Sequence, residues 1–390
     1  MLKNKIKELN RIRMKYNENR HYENFETNQT IFPINYNVHI FYYAWYENLR
    51  IDGKWEHWNH EYIKNWRKND ERIYPRGRHV PPDDIGSNYY PKLGCYSSKD
   101  VYVINEHMKQ ISNAGIGVLV VSWYPPGMSD GSYRSPDEIF SSLLDSAEKY
   151  KLKLAPHIEP YENRNPYNLL ENIKYFKNKY GNHPSLYKIK RGEKNLIVYY
   201  IYDSYRIPAI SWRELLGPNG NISIRETSYD GIFLGLLVDS NHKYEIKKAK
   251  FDGFYTYFAS NGFSYGSTWK NWKTLSHLAS SQNLIFVPSI GPGYVDTRVR
   301  PWNAMNTRDR RHGKYYEVGW RAAISAGVDY VSITSFNEWH EGTQIEPAIR
   351  KNTINYTYLD YEPEGSDFYL KVTKYWIHSF TNKRRPIPIL

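Results

Sequence analysis

Eight short runs of apolar, largely β-branched or aromatic residues recur along the chain, at 38–43, 116–123, 152–158, 196–201, 231–238, 253–257, 284–289 and 330–334. Several are apolar almost without interruption, as in IGVLVVSW at 116–123, a pattern that fits strands covered on both faces rather than half-exposed ones. Segments of helical period lie between them at 100–114, 136–150, 166–180, 242–250, 267–281 and 314–327, with weaker ones at 61–69 and 211–217. Buried strands alternating with helices predict a parallel α/β fold, a single (β/α)8 TIM barrel, with a doubly wound open sheet as the second option. One catalytic-sized domain is expected over 31–380, between a charged N-terminal tail at 1–30 and a basic C-terminal tail at 381–390.

The long connections all follow strands: 44–99, 124–135, 159–165, 258–266, 290–313 and 335–365. In such barrels the loops at the C-terminal ends of the strands build the functional face, so loop length alone says which end to search.

Charge changes little. Of the net +12, five units lie in residues 1–20 and three in Lys383, Arg384 and Arg385, leaving four for the rest of the chain. A nucleic-acid partner is therefore not expected. No run of 18 apolar residues marks a membrane segment, and the lone Cys95 gives neither a disulfide nor a cysteine-based metal site. Three sequons, at Asn28, Asn221 and Asn355, carry little weight, because such triplets arise by chance. Phosphate loops, dinucleotide fingerprints after the first strand and nucleophile-elbow motifs are absent from the sequence.

Chemistry concentrates beyond the eighth strand. Asn337, Glu338, Trp339, His340, Glu341 and Glu346 lie within ten residues. Cleaving a glycosidic bond needs one carboxyl group to protonate the leaving oxygen and a second group to act across the anomeric centre, and Glu338 with Glu341 can supply both. The competing reading is that the two acids begin a helix and complement its positive end. Glu159, ending the third strand in HIEPY, reads as a substrate partner or as an ion-pair partner of Arg164, and His157 as structural or functional. His57 and His60 invite a metal reading, but their spacing fits no standard zinc pattern, and sugar binding suits the surrounding Trp and Asn better. Aromatics such as Trp123, Tyr124, Tyr255 and Trp302 cluster at strand ends, where pyranose rings could stack on them.

The segments FYYAWY (41–46), HWNH (57–60), PPDDIGS (81–87), SWYPP (122–126), HIEPY (157–161), YDSY (202–205), DGFYTYFA (252–259), PSIGPGY (288–294), RPWN (300–303) and TSFNEWHEGTQIE (334–346) closely resemble glycoside hydrolase family 99, the endo-α-1,2-mannosidases. The resemblance spans roughly residues 35–362. It implies a retaining enzyme that trims glucosylated high-mannose N-glycans through a 1,2-anhydro sugar, with Glu338 as general base, Glu341 as general acid and base, and no metal or organic cofactor. It further implies Trp123 and Tyr124 as a sugar platform, with Tyr43, His60, Glu159, Tyr202, Tyr255, Trp302 and Asn337 about the substrate. Family members in animals work in the Golgi lumen behind one membrane helix; this sequence does not encode it, so the expectation is the Golgi lumen with either a truncated chain or a different localisation. The expected partner is the oligosaccharide or an N-glycoprotein, met by a monomer. A non-catalytic glycan-binding barrel is the alternative; it would keep the aromatics and lose the acid.

Overall fold

The computed structural model describes residues 33–65, 74–129 and 136–382. Eight parallel strands form its centre: β1 (Asn35–Tyr42), β2 (Ile116–Trp123), β3 (Lys153–Ile158), β4 (Lys194–Ile201), β5 (Gly231–Leu236), β6 (Gly253–Tyr255), β7 (Ile285–Val287 continuing as Ser289–Ile290) and β8 (Val331–Ile333). They pair in chain order, and β8 pairs back onto β1 with Val38 opposite Val331 and Ile40 opposite Ile333. β7 is divided at Pro288, which has no N–H to give the ladder, yet the Pro288 carbonyl still accepts from Ser332 at 2.9 Å. One half of β7 pairs with β6 and the other with β8, so the ring closes and the open-sheet option falls away.

Each strand is followed by a helix: α1 (Val101–Asn113), α2 (Asp137–Lys149), α3 (Pro166–Tyr180), α4 (Ala209–Leu216), α5 (His242–Ala249), α6 (Trp272–Ser281), α7 (Lys314–Ser325) and α8 (Phe368–Thr381). Local chemistry sets the ends. Asn165 caps α3 by accepting from the N–H groups of Tyr167 and Asn168, and Pro166 fills the first turn, where no N–H is needed. The expected helix at 61–69 does not form over 61–65, and 66–69 lie outside the described residues, as do 1–32 and 383–390, which contain the tail at 1–30 and most of that at 381–390. The final helix α8 has no counterpart in the sequence reading, although Phe368, Val372 and Trp376 with Tyr369, Thr373 and Ile377 form its buried face at i, i+4 spacing.

The strands' period of two sends alternate residues inward and outward. On β2, Trp123 points outward, donating from Nε1 to Asp137 Oδ1 at 2.9 Å and packing edge-on to Phe176 of α3. The inside is filled by aromatic and polar side chains. Phe41 packs against His157 at 4.9 Å, His39 Nδ1 meets the Tyr200 hydroxyl at 2.5 Å, and His157 Nε2 meets the Tyr255 hydroxyl at 2.8 Å. These pairs satisfy polar groups that would otherwise destabilise the interior. Burial also lowers the His39 pKa to about 4, so its ring is neutral.

Candidate active site

Beyond β8 the chain closes on itself. Ser335 N donates to Thr343 O and Ile345 N to Ser335 O, both at 2.9 Å, while Phe336 N ties the loop to Phe41 O of β1 at 2.9 Å. The Ser335 hydroxyl accepts from Glu338 N at 2.8 Å. Gly342 adopts φ +60°, and a Cβ there would lie 2.6 Å from Val295 O, so the turn requires glycine. Residues 338–342 therefore run through turns and not a helix, which removes the reading of the two acids as helix-end residues.

Glu338 is buried, with Oε1 accepting from His340 N at 3.1 Å and Oε2 meeting no hydrogen-bond partner from the protein. Glu341 is half-buried and lies near the Tyr257 hydroxyl and the Arg300 guanidinium. Arg300 is held by Asp296, a fully buried carboxylate that accepts at Oδ2 from Tyr294 at 2.8 Å, Asn303 at 2.9 Å and Arg300 Nη1 at 3.1 Å. The Tyr43 and Tyr257 hydroxyls meet at 2.5 Å. Glu159 Oε1 sits 3.2 Å from His157 Nδ1, whereas Arg164 donates to the Ile158 and Asp203 carbonyls. The Glu159 charge acts on Arg164 and on both Glu338 and Glu341, and the fields of all three carboxylates reach Tyr43. Tyr202 feels Glu341 and Glu159 as well.

These groups perturb one another strongly. Burial raises the Glu341 pKa to about 7, helped by Asp296 and Glu159 and opposed by Arg300 and the Tyr257 hydrogen bond. Burial likewise pushes Glu338 well above the carboxylate range, the Glu341 charge adding to it while Arg300 and the His340 N–H oppose. Two raised carboxyls beside an arginine, at the C-terminal mouth of a barrel and surrounded by tyrosines, form a proton-transfer site suited to glycosidic bonds. Among the described residues no group of three or more His, Cys, Asp or Glu side chains could hold a metal ion. His57 instead stacks flat on Trp45, with ring centroids 4.4 Å apart.

The family model for glycosyl hydrolase family 99 matches residues 33–382. The chain belongs to that family. Glycoprotein endo-alpha-1,2-mannosidase of Rattus norvegicus is 52% identical over 353 residues, covering 90% of this chain and 76% of the relative. The Homo sapiens glycoprotein endo-alpha-1,2-mannosidase-like protein is 50% identical over 348 residues, 89% of this chain and 76% of its own length. The solved GH99 endo-alpha-mannosidase of Bacteroides thetaiotaomicron superposes with a TM-score of 0.83 at 43% identity, covering 90% of this chain and 99% of that one. The family 99 chain described here is a glycoside hydrolase with the family's barrel fold.

Within this family 99 barrel, the residues singled out from the sequence separate by height. Tyr43, Glu159 and Tyr202 stand at the mouth with Glu338 and Glu341. Tyr255 lies one layer lower, on His157, and it is Tyr257 that reaches the acids. Asn337 is fully buried behind the site: Oδ1 accepts from Tyr43 N at 2.8 Å and Nδ2 donates to Tyr43 O at 2.7 Å, clamping the end of β1. Trp123 lies on the outer face of β2, while Tyr124 has the inward parity and is buried. His60 packs at 4.6 Å on His340, and half-exposed Trp302 donates to Ile63 O at 3.0 Å on the rim. Tyr257, Asp296 and Arg300 are absent from the sequence-based set; Tyr257 and Arg300 fall inside motifs that drew attention, whereas Asp296 gave no signal.

Proposed function

We propose that this family 99 hydrolase is a retaining endo-α-1,2-mannosidase acting on glucosylated high-mannose oligosaccharides and N-glycoproteins, with Glu338 and Glu341 as its working acids. The carrying observation is the pair itself: two carboxyls on one pinned loop, both pushed toward their protonated forms, with Glu338 Oε2 left without a protein partner. The name of the 52% identical relative, an endo-alpha-1,2-mannosidase, supports the α-1,2 linkage.

In an α-mannoside the 2-hydroxyl is axial and antiperiplanar to the leaving oxygen. Glu338 takes the 2-hydroxyl proton, O2 attacks C1 from the face opposite the leaving group, and the C1–O bond breaks as Glu341 gives its proton to the departing oxygen. Water then opens the 1,2-anhydro ring at C1, returning a proton to Glu341 while O2 recovers one from Glu338. Two inversions leave the configuration retained. A pKa of about 7 suits Glu341, which must both give and recover a proton near neutral pH. Glu338 is raised too, unlike the low pKa expected of a base, but part of that elevation comes from the Glu341 charge. When Glu341 is protonated that part disappears while the larger effect of burial stays, so the division of roles, Glu338 as base and Glu341 as acid, rests on the family resemblance and not on the order of the two pKa values.

Tyr43, Glu159, Tyr202, Tyr257 and Arg300 surround the sugar at the point of cleavage, and Tyr124, His60 and Trp302 meet it farther along the rim. The place of action is the Golgi lumen, on the strength of the family resemblance; among the described residues no helix is long and apolar enough to cross a membrane. The test is to offer a glucosylated mannose oligosaccharide and assay release of the glucosyl-mannose disaccharide in the α configuration. Release of single glucose or mannose units, or a β product, would overturn the reading.

A further inference from the structure

Glu341 stands on no regular element, so something else must fix where its carboxyl points. Its own carbonyl accepts from Val295 N at 2.9 Å. The carbonyls just beyond it, of Gly342 and Gln344, both accept from one atom, Nη2 of Arg310, at 2.9 and 2.8 Å. Arg310 lies in the connection between β7 and α7 and is buried, yet no carboxylate among the described residues comes within ion-pair range of it. Its charge is instead enclosed by three aromatic faces: the guanidinium carbon lies 4.6 Å from the ring centre of Tyr89, 4.9 Å from that of Tyr361 and 4.5 Å from that of Tyr369. Nε and Nη1 meet no oxygen acceptor. Tyr361 completes the box by donating to Gln344 O at 3.2 Å and Glu346 O at 2.9 Å.

A buried cation is ordinarily matched by an acid, and here the rings take that part. The consequence is directional. With no carboxylate competing for it, the guanidinium gives both of its close hydrogen bonds, from Nη2, to the backbone of the loop that carries Glu341. Accepting at these two carbonyls also satisfies groups that a turn leaves unpaired. We infer that Arg310 is a positioning residue, caged by Tyr89, Tyr361 and Tyr369, that fixes Glu341 through the Gly342 and Gln344 carbonyls without touching substrate. The inference rests on Glu341 being the acid of the proposed reaction.

The test compares Arg310→Lys, which keeps the charge but not the planar fork, and Arg310→Met, which keeps the stem alone, with Glu341→Gln as control. Each is assayed for turnover, for affinity toward the glucosyl-mannose disaccharide, for melting temperature and for the pH profile of kcat. A displacement of about 1 Å in a working group can cost on the order of a hundredfold in rate. Arg310→Met is expected to lose roughly ten- to a hundredfold in kcat, and Arg310→Lys less, with disaccharide affinity kept within about threefold. Displaced from the burial and the charges of Arg300, Asp296 and Glu159 that set its pKa, Glu341 titrates at a different pH, so the alkaline limb of the profile moves in both variants. If both keep the wild-type kcat per folded molecule and the wild-type limb while Glu341→Gln is inert, the inference about Arg310 fails alone. Loss of rate only in step with loss of affinity or folding overturns it too. If Glu341→Gln turns over normally, the reading of Glu341 itself has failed.

Discussion

Two consecutive layers inside the barrel carry side chains from the same four strands, two residues apart, and they behave differently. The lower layer holds Phe41, His157, Tyr200 and Tyr255; the upper holds Tyr43, Glu159, Tyr202 and Tyr257. Below, the tyrosine hydroxyls are paired within the protein, Tyr200 with His39 and Tyr255 with His157, whose other ring nitrogen faces Glu159 of the layer above at 3.2 Å. Above, the same strands deliver groups under the field of three carboxylates, and Glu338 presents an oxygen with no protein partner. One turn of pleat separates structure from chemistry. A barrel interior is packed by default, and here the carboxylates and the unpartnered Glu338 oxygen stand above the packed layer.

The sharpest way to break that comparison is to neutralise the acid. Glu341→Gln is expected to lower kcat by about 10²–10⁴-fold, the usual range for removing a general acid, while leaving disaccharide affinity largely intact. The next contrast sets the layers against each other. Tyr257→Phe removes the hydroxyl beside Glu341 and should cost up to about tenfold in kcat, as loss of a hydrogen bond to a neutral acid of about 0.5–1.5 kcal/mol implies. Tyr255→Phe, two residues away, should leave kcat per folded molecule unchanged and destabilise the fold by about 1–3 kcal/mol, since the His157 nitrogen it pairs with stays buried. Equal kinetic losses in the two variants would erase the distinction between layers.

Acidity sharpens it further. Because Glu341 must be protonated to act, activity should fall as pH rises through about 7, read as the alkaline limb of the kcat profile. The same elevation opposes stability. A carboxyl whose folded pKa lies above its unfolded value of 4.5 binds its proton more tightly when folded, so its penalty grows as pH rises from there toward 7 and is complete above. Glu341→Gln removes that penalty and should melt higher than the wild type at pH 8, by up to about 3 kcal/mol of stability, with the gain vanishing near pH 4. An unchanged difference across that range would mean that the carboxyl is not raised in the folded protein.

Much of this architecture was legible in the sequence, for physical reasons. Parallel strands covered on both sides are largely apolar, which exposed several of them directly and the rest by their alternation with helices, and the loops after them pointed to the mouth. Glu338 and Glu341 announced themselves by proximity to a strand end. Height within the barrel was not legible, because alternation gives the side of a strand and not how far along it the ladder stops. Tyr255 and Tyr257 share a parity, and only the end of β6 at Tyr255 separates them. Trp123 and Tyr124 show the converse: neighbours in sequence, opposite in parity, one against α2 and α3 and the other facing inward. Arg310 carried no local mark, since its cage is assembled from Tyr89, Tyr361 and Tyr369, residues distant in the chain. The last helix, rich in aromatics and β-branched residues, hid its helical period behind strand-like composition.

The most direct test of the whole account is a crystal structure of Glu338→Gln soaked with a glucosylated mannose oligosaccharide. The account predicts the scissile mannose over the upper layer, its 2-hydroxyl against residue 338 and its leaving oxygen within hydrogen-bond distance of Glu341. A sugar bound elsewhere on the barrel, or one with residues 338 and 341 on the same side of its anomeric carbon, would contradict it.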